Sequence, residues 1–308
     1  MAMVISTDPG ASDDERRSRL FRGEIFAIPP TPAVAAFAEF AWELICTAFG
    51  DLDPMTAHDE LAVEEYVALL GPLKTGFTHH PHCKELLRDL LIDLGCDPET
   101  TYFDVPKLRT VTPAKYLTAG LGYNYLPHRD TWYSAPQCQV NWWAPIRGVT
   151  PDNCMAYHPN FWQQPAPNSS DEFDAYDWNK TARRDAASYI KSDPRPHPHL
   201  VGADPGTDVR LIGEAGSILV FSGAQLHATV PNTTERARFS FDFRTVSSND
   251  VAAHAGPANV DGSSTGTTLR DFLRIDTLEP LPSELIAEYD KDGDADGVLV
   301  FDPTVLDA

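Results

Sequence analysis

Two histidines, an aspartate and an arginine carry most of the chemical interest of this chain. His128 and Asp130 stand two apart at the end of GLGYNYLPHRD, a run that reads as a strand. Residues two apart on a strand share a face, so an imidazole and a carboxylate could meet one ion there. Alone the triplet is weak, because ten histidines and abundant aspartate produce about one H-x-D by chance in a chain of this composition. A second stretch, AGSILVFSGAQLHATVPNTTERARFSFDFRTV, strengthens it, with His227 on one strand, a Pro-Asn turn, and Arg238 on the next. A hairpin there would set a third metal ligand beside a cation.

Alternation tells the two faces of these strands apart. Arg236, Arg238, Ser240, Asp242 and Arg244 fall on one side of the last strand, and Phe239, Phe241 and Phe243 on the other. The phenylalanines suit packing and the polar side suits a ligand cavity. In CQVNWWAPI, Gln139, Asn141 and Trp143 share one side, so two amides and an indole are expected to line the same cavity. Arg236 lies near the turn and is expected in solvent. Arg244 is read as a substrate contact or as one member of a buried ion pair.

The elements that must position these residues follow a simple order. Residues 1–30 read as a flexible arm ending at Pro29-Pro30, and residues 31–100 as a helical part with helices over 31–49, 57–70 and 82–94. From 101 to 250 the chain is rich in Tyr, Trp, Val, Thr and Phe in short runs cut by Gly, Pro and Asn, the pattern of many short strands, clearest at 137–145, 217–222, 226–230 and 236–246. This predicts a mainly β core with flanking helices (α+β), a double-stranded β-helix or jelly roll with helices on one side, in a single domain. Residues 160–208 interrupt the strands, look helical over 180–191, and read as a lid over the barrel mouth, with Trp162, Trp178, Arg183 and Arg184, beside Trp143 and Arg244, as candidate substrate contacts. Residues 251–308 read as a C-terminal tail with a Gly/Ser-rich linker near 262–266.

The 308 residues suffice for one substantial core. A formal charge of −21 disfavours nucleic acid and anionic membrane as partners and leaves a small molecule as the expected one. Five cysteines without a C-x-x-C pair suggest free thiols in a reducing compartment. The polar opening residues do not resemble a signal peptide, and the apolar window 33–49 is interrupted by Glu39 and Glu43, so a cytoplasmic protein is expected.

The H-x-D at His128 and Asp130, G-S-x-x-x-F at 216–221, H-x-x-x-P-N at 227–232 and R-x-S at Arg238 and Ser240 resemble the iron(II)/2-oxoglutarate dioxygenases, and within them the phytanoyl-CoA dioxygenase-like group. The resemblance spans residues 124–246. It implies iron(II) held by His128, Asp130 and His227, with three positions left for the keto acid and dioxygen. It further implies that Arg238, helped by Ser240, grips the far carboxylate of 2-oxoglutarate, with Gln139 and Asn141 near the co-substrate. Oxidative decarboxylation to succinate would then be coupled to oxidation of a substrate C–H bond. The carboxylate of Asp130, which related halogenases lack, favours hydroxylation, desaturation or ring closure over halogenation. Two other readings stand beside this one: a cupin-type metal oxygenase without a keto acid, and a non-catalytic jelly-roll module that binds a small molecule.

Three further clusters invite a bland reading. THHPHC (His79, His80, His82, Cys83) reads as a polar loop before a helix, since no partners follow at zinc-site spacing. His197-Pro198-His199 reads as a loop. DKDGDADG holds Asp292, Asp294 and Asp296 like the start of a calcium loop, but counting from Asp292 the twelfth position is Pro303 where a glutamate is needed, so a solvated acidic turn is expected.

Overall fold

The computed structural model describes residues 3–8, 10–113, 115–182 and 184–290. Helices α1 (Asp13–Leu20), α2 (Pro32–Phe49), α3 (Val63–His79) and α4 (Pro81–Asp93) precede most of the strands. The strands are β1 (Ile5–Ser6), β2 (Ile25–Ile28), β3 (Thr101–Phe103), β4 (Lys107–Val111), β5 (Val140–Pro145), β6 (Met155–Tyr157), β7 (Val209–Leu211), β8 (Ile218–Ser222), β9 (His227–Thr229), β10 (Arg238–Ser247) and β11 (Leu273–Arg274). They form an eight-stranded sheet, ordered β1-β2-β8-β5-β10-β3-β11 with β4 also on β10, and a three-stranded sheet, β7-β6-β9.

β10 organises the larger sheet. On one edge it pairs antiparallel with β5, and on the other with β4 and then β3. Its Phe239, Phe241 and Phe243 join Val140, Trp142 and Ala144 in one core with α2, α3 and α4. Each buried phenylalanine contributes about 1.5–3 kcal/mol by leaving water. α2 begins where the Thr31 side chain accepts from the Val34 N–H with Pro32 in the first turn, and stops at Gly50, whose φ of 61° suits glycine. It is the one described helix long and apolar enough to cross a membrane, despite its two glutamates. Here Val34, Phe37, Ala41, Ile45 and Phe49 are buried in that core.

Four expectations need correction. Residues before 30 are not a free arm. β2 pairs with β8 (Phe26 opposite Val220, Ile28 opposite Ile218), and Arg17 of α1 pairs with Asp250 at 2.6 Å, because IFAI is apolar enough to be buried as a strand. The stretch after 250 is tied in too: Val251, Leu269, Phe272 and Leu281 pack with Tyr102, Cys138 and Val246. Within it the Gly/Ser-rich segment is docked, with the Ser134 hydroxyl donating to the Thr265 carbonyl at 2.7 Å. His227 and Arg238 do not share a hairpin, since β9 belongs to the small sheet and β10 to the large one. The Asn232 amide donates to the Val111 and Arg236 carbonyls and shapes the crossing between them. Finally, 180–191 is not one helix but a π turn (Trp178–Ala182) and a 3-10 turn (Arg184–Ser188). DKDGDADG from 291 on lies outside the described residues.

Candidate active site

A cavity of about 830 Å³ opens between the two sheets and is walled in part by α3 and by the 160–208 excursion. His128 and His227 face each other in it across one antiparallel bridge, each N–H donating to the other's carbonyl at 2.9 Å. Directly paired residues project to the same face, and the ring centroids lie 4.2 Å apart. The Nδ1 atoms bond to the carbonyls of Leu126 (2.8 Å) and Gln225 (2.9 Å), which makes Nδ1 the protonated nitrogen and leaves Nε2 as the donor atom.

Asp130 does not continue a strand. After His128 the chain enters a 3-10 turn, Asp130–Tyr133, anchored by the Asp130 N–H on the Gly223 carbonyl at 2.8 Å. This turn, and not strand alternation, brings Asp130 Oδ1 to 3.5 Å from His128 Nε2 and 3.7 Å from His227 Nε2. The ligand atoms of the three residues lie within 4.8 Å of one another, the one such group of histidine, cysteine or acid side chains among the described residues.

Their protonation suits a cation. Burial alone would raise the Asp130 carboxyl, but the neighbouring His128 imidazole and the charge of Arg244 outweigh it and hold the group well below the usual carboxylate range. Burial, with His128 close by, pushes His227 down to about 3, so it is a neutral imidazole near pH 7. Asp130 Oδ2 accepts from Gln139 Nε2 at 3.2 Å and from Arg244 Nε at 3.4 Å, and Gln139 also donates to Asn141 Oδ1 at 2.9 Å. Metal ligands elsewhere are oriented by such outer partners.

Arg238 projects from β10 into the cavity in a different state. Its Nη1 donates to the Asn153 carbonyl at 3.1 Å, its guanidinium lies 5.5 Å from the Trp143 ring centre, and its Nε has no partner. It has no ion pair among the described residues, and burial lowers it to about 10. The Oγ of buried Ser240 has no partner either. Unpartnered buried polar atoms are costly, and that of Arg238, at the cavity wall, calls for a ligand; Ser240 shares its strand face but is not among the lining residues.

Of the other sequence candidates, Gln139, Asn141, Trp143 and Trp178 line the cavity. Arg244 does as well, and it is the buried ion-pair member that the sequence offered as one of its two readings, between Asp104 (3.5 Å), Asp130 and Asp242 (3.3 Å). Trp162 is also corrected: it lies outside the cavity with its indole against Gly23, where any Cβ would collide with it. Arg183 is outside the described residues, and the backbone of Arg184 opens the turn whose Ala186 and Ala187 reach the cavity. Of THHPHC, His80 accepts from the His82 N–H and His82 pairs with Glu85 at 2.8 Å. Sequence reasoning missed Lys74, Arg109, Tyr123, Tyr125, Tyr133 and His197, all at the cavity. Only the Tyr-x-Tyr repeat just before His128 hinted at them.

No family model matches the chain, and no curated protein does. Among solved structures the chain is similar to EvdO2 from Micromonospora carbonacea var. aurantiaca in complex with 2-oxoglutarate, at 19% identity over 77% of this chain and 92% of that one, with a TM-score of 0.42. It is similar to the non-haem α-ketoglutarate-dependent carbocyclase SnoK from nogalamycin biosynthesis at 13% identity over 84% and 96% of the two chains, with a TM-score of 0.42. A third is the epimerase SnoN in complex with Fe3+, α-ketoglutarate and nogalamycin RO, at 14% identity over 82% and 96%, with a TM-score of 0.41. These are likenesses of chain path; the chemistry rests on the side chains described above.

Proposed function

We propose that the protein is a non-haem iron(II), 2-oxoglutarate-dependent oxygenase, a single jelly-roll domain that oxidises a C–H bond of a small molecule. One observation carries this reading: His128, Asp130 and His227 converge in a buried cavity that also holds a guanidinium, Arg238, in no ion pair among the described residues. Two neutral imidazoles and a carboxylate are a donor set that suits ferrous iron and leaves coordination positions free. Bound there with 2-oxoglutarate and dioxygen, the metal would supply oxidative decarboxylation of the keto acid to succinate and carbon dioxide, coupled to oxidation of the substrate.

The chain's own residues do the rest. The guanidinium of Arg238, with its unpartnered Nε, donates to the far carboxylate of the keto acid, helped by Ser240 on the same strand face, and Trp143 flanks the guanidinium. Gln139 and Arg244 hold Asp130 by Oδ2 and leave Oδ1 turned to the two histidines. Leu126 and Gln225 fix the imidazole tautomers. Hydroxylation, desaturation or ring closure is favoured over halogenation, because Asp130 supplies a carboxylate where a halide would otherwise bind, and hydroxylation is the outcome proposed. A cytoplasmic setting is supported by five cysteines that are all free.

Anaerobic addition of iron(II) and 2-oxoglutarate is expected to give a weak visible charge-transfer band, and air then to give succinate in proportion to keto acid consumed. A colourless mixture, or turnover that ignores 2-oxoglutarate, would overturn the reading.

A further inference from the structure

Building on that reading, we propose that the oxidised substrate is a planar aromatic acid, its ring seated in a cup of aromatic side chains beside His128 and its anionic group paired with Lys74.

The cup is a closed circuit of rings. Tyr123 meets Tyr125 at 4.9 Å between centroids, Tyr125 meets Tyr133 at 6.4 Å, and Tyr133 meets Phe173 at 5.1 Å. Phe173 meets Trp178 at 5.6 Å, Trp178 meets His197 at 5.0 Å, and His197 stacks on Tyr123 at 3.7 Å. All six line the cavity, and Tyr125 and Tyr133 lie 5.2 and 5.6 Å from the His128 ring. Aromatic side chains favour offset or edge-on contact with another ring, so a planar guest gains beyond its buried area. His197 is buried with no partner for Nδ1, which offers one polar contact to a ring substituent.

Charge matching supplies the acid. The cations lining the cavity are Lys74, Lys107, Arg109, Arg195, Arg238 and Arg244. Lys107 pairs with Asp104, Arg109 with Asp242, Arg195 with Asp193, and Arg244 with three aspartates. Among the described residues that leaves Arg238 and Lys74 outside any ion pair. With Arg238 taken by the keto acid, Lys74 remains for the substrate. Its Nζ donates to the Leu121 carbonyl, two residues before Tyr123, and Arg109 next to it donates to the Tyr125 hydroxyl at 3.2 Å, so cation and cup adjoin. Burial, with Arg109 and Arg238 nearby and against the pull of Asp242, lowers Lys74 to about 7. A bound anion would restore its full charge.

Calorimetric titration of metal-free protein, without keto acid, tests this with 2-naphthoate, 2-naphthalenemethanol and decahydro-2-naphthoate as probes. The aromatic acid is expected to bind at least about tenfold more tightly than the neutral alcohol, as one charged hydrogen bond would give, and about two- to tenfold more tightly than the saturated acid, as one ring contact would give. Lys74→Met should erase the preference over the alcohol, Lys74→Arg should keep it, and Arg238→Met should leave it intact. Equal binding of acid and alcohol, equal binding of the two acids, or a preference that survives Lys74→Met but not Arg238→Met would overturn the inference. The melting temperature of Lys74→Met, expected at or above wild type, guards against misfolding. Because no iron or 2-oxoglutarate is present, failure here leaves the succinate assay unaffected, and failure of that assay leaves this binding unaffected.

Discussion

The two faces of β10 are built from the same ten residues to opposite specifications. Toward the helices, Phe239, Phe241 and Phe243 are satisfied: each fits among apolar neighbours, and nothing more is needed from outside the chain. On the opposite face, Arg238 and Ser240 are left with unpartnered atoms, while Asp242 and Arg244 are tied into a network with Arg109, Asp104 and Asp130. A face that completes itself stabilises the fold, whereas one that leaves donors open holds a ligand and gives up some stability. The difference teaches where to look for function on a strand whose other side reads as plain core.

Substitutions on the two faces should therefore separate activity from stability. The largest effect is expected at the metal: His227→Ala should abolish both the charge-transfer band and succinate formation, with melting temperature little changed. Next, Phe241→Ala on the helix side should lose about 3–5 kcal/mol of stability in urea unfolding and leave the keto-acid affinity of the folded fraction as it was. Arg238→Ala should weaken 2-oxoglutarate by about 1.5–3 kcal/mol, read as its dissociation constant, while stability holds or rises because an unpaired buried charge is gone. A loss of stability there equal to that of Phe241→Ala would erase the contrast between the faces.

The last effect concerns pH. Lys74 titrates at about 7 in the folded protein against an ordinary 10.5, so between those values the unfolded chain binds the extra proton. Stability of the wild type should thus rise relative to Lys74→Met as pH increases from 7 toward 10, and the gap should be constant below 7. Urea midpoints at pH 6, 8 and 9.5 measure it.

Much of this contrast was legible in the sequence, because alternation is a local property. R-x-S-x-D-x-R against F-x-F-x-F assigns the faces of β10 before any partner strand is known. The types and order of His128, Asp130 and His227 likewise suggested a metal site. Sheet membership was not legible: a Pro-Asn turn after His227 looks like a hairpin, and only the tertiary partners of β9 and β10 send them to different sheets. The Asp130 turn depends on a hydrogen bond to Gly223, nearly a hundred positions away, which no local pattern encodes. The aromatic cup escaped notice for a related reason: its rings come from three separated stretches, and Lys74 comes from an α3 surface that reads as ordinary helix.

The reciprocal bridge between His128 and His227 has a consequence of its own. With both imidazoles hung from one backbone pair, strand register and donor spacing become a single variable. A slip of β9 by one residue would turn His227 to the opposite side of the ribbon and delete a ligand outright. Natural variation around the bridge should accordingly be read in whole steps: the centre is either assembled or missing, with no loosened version between.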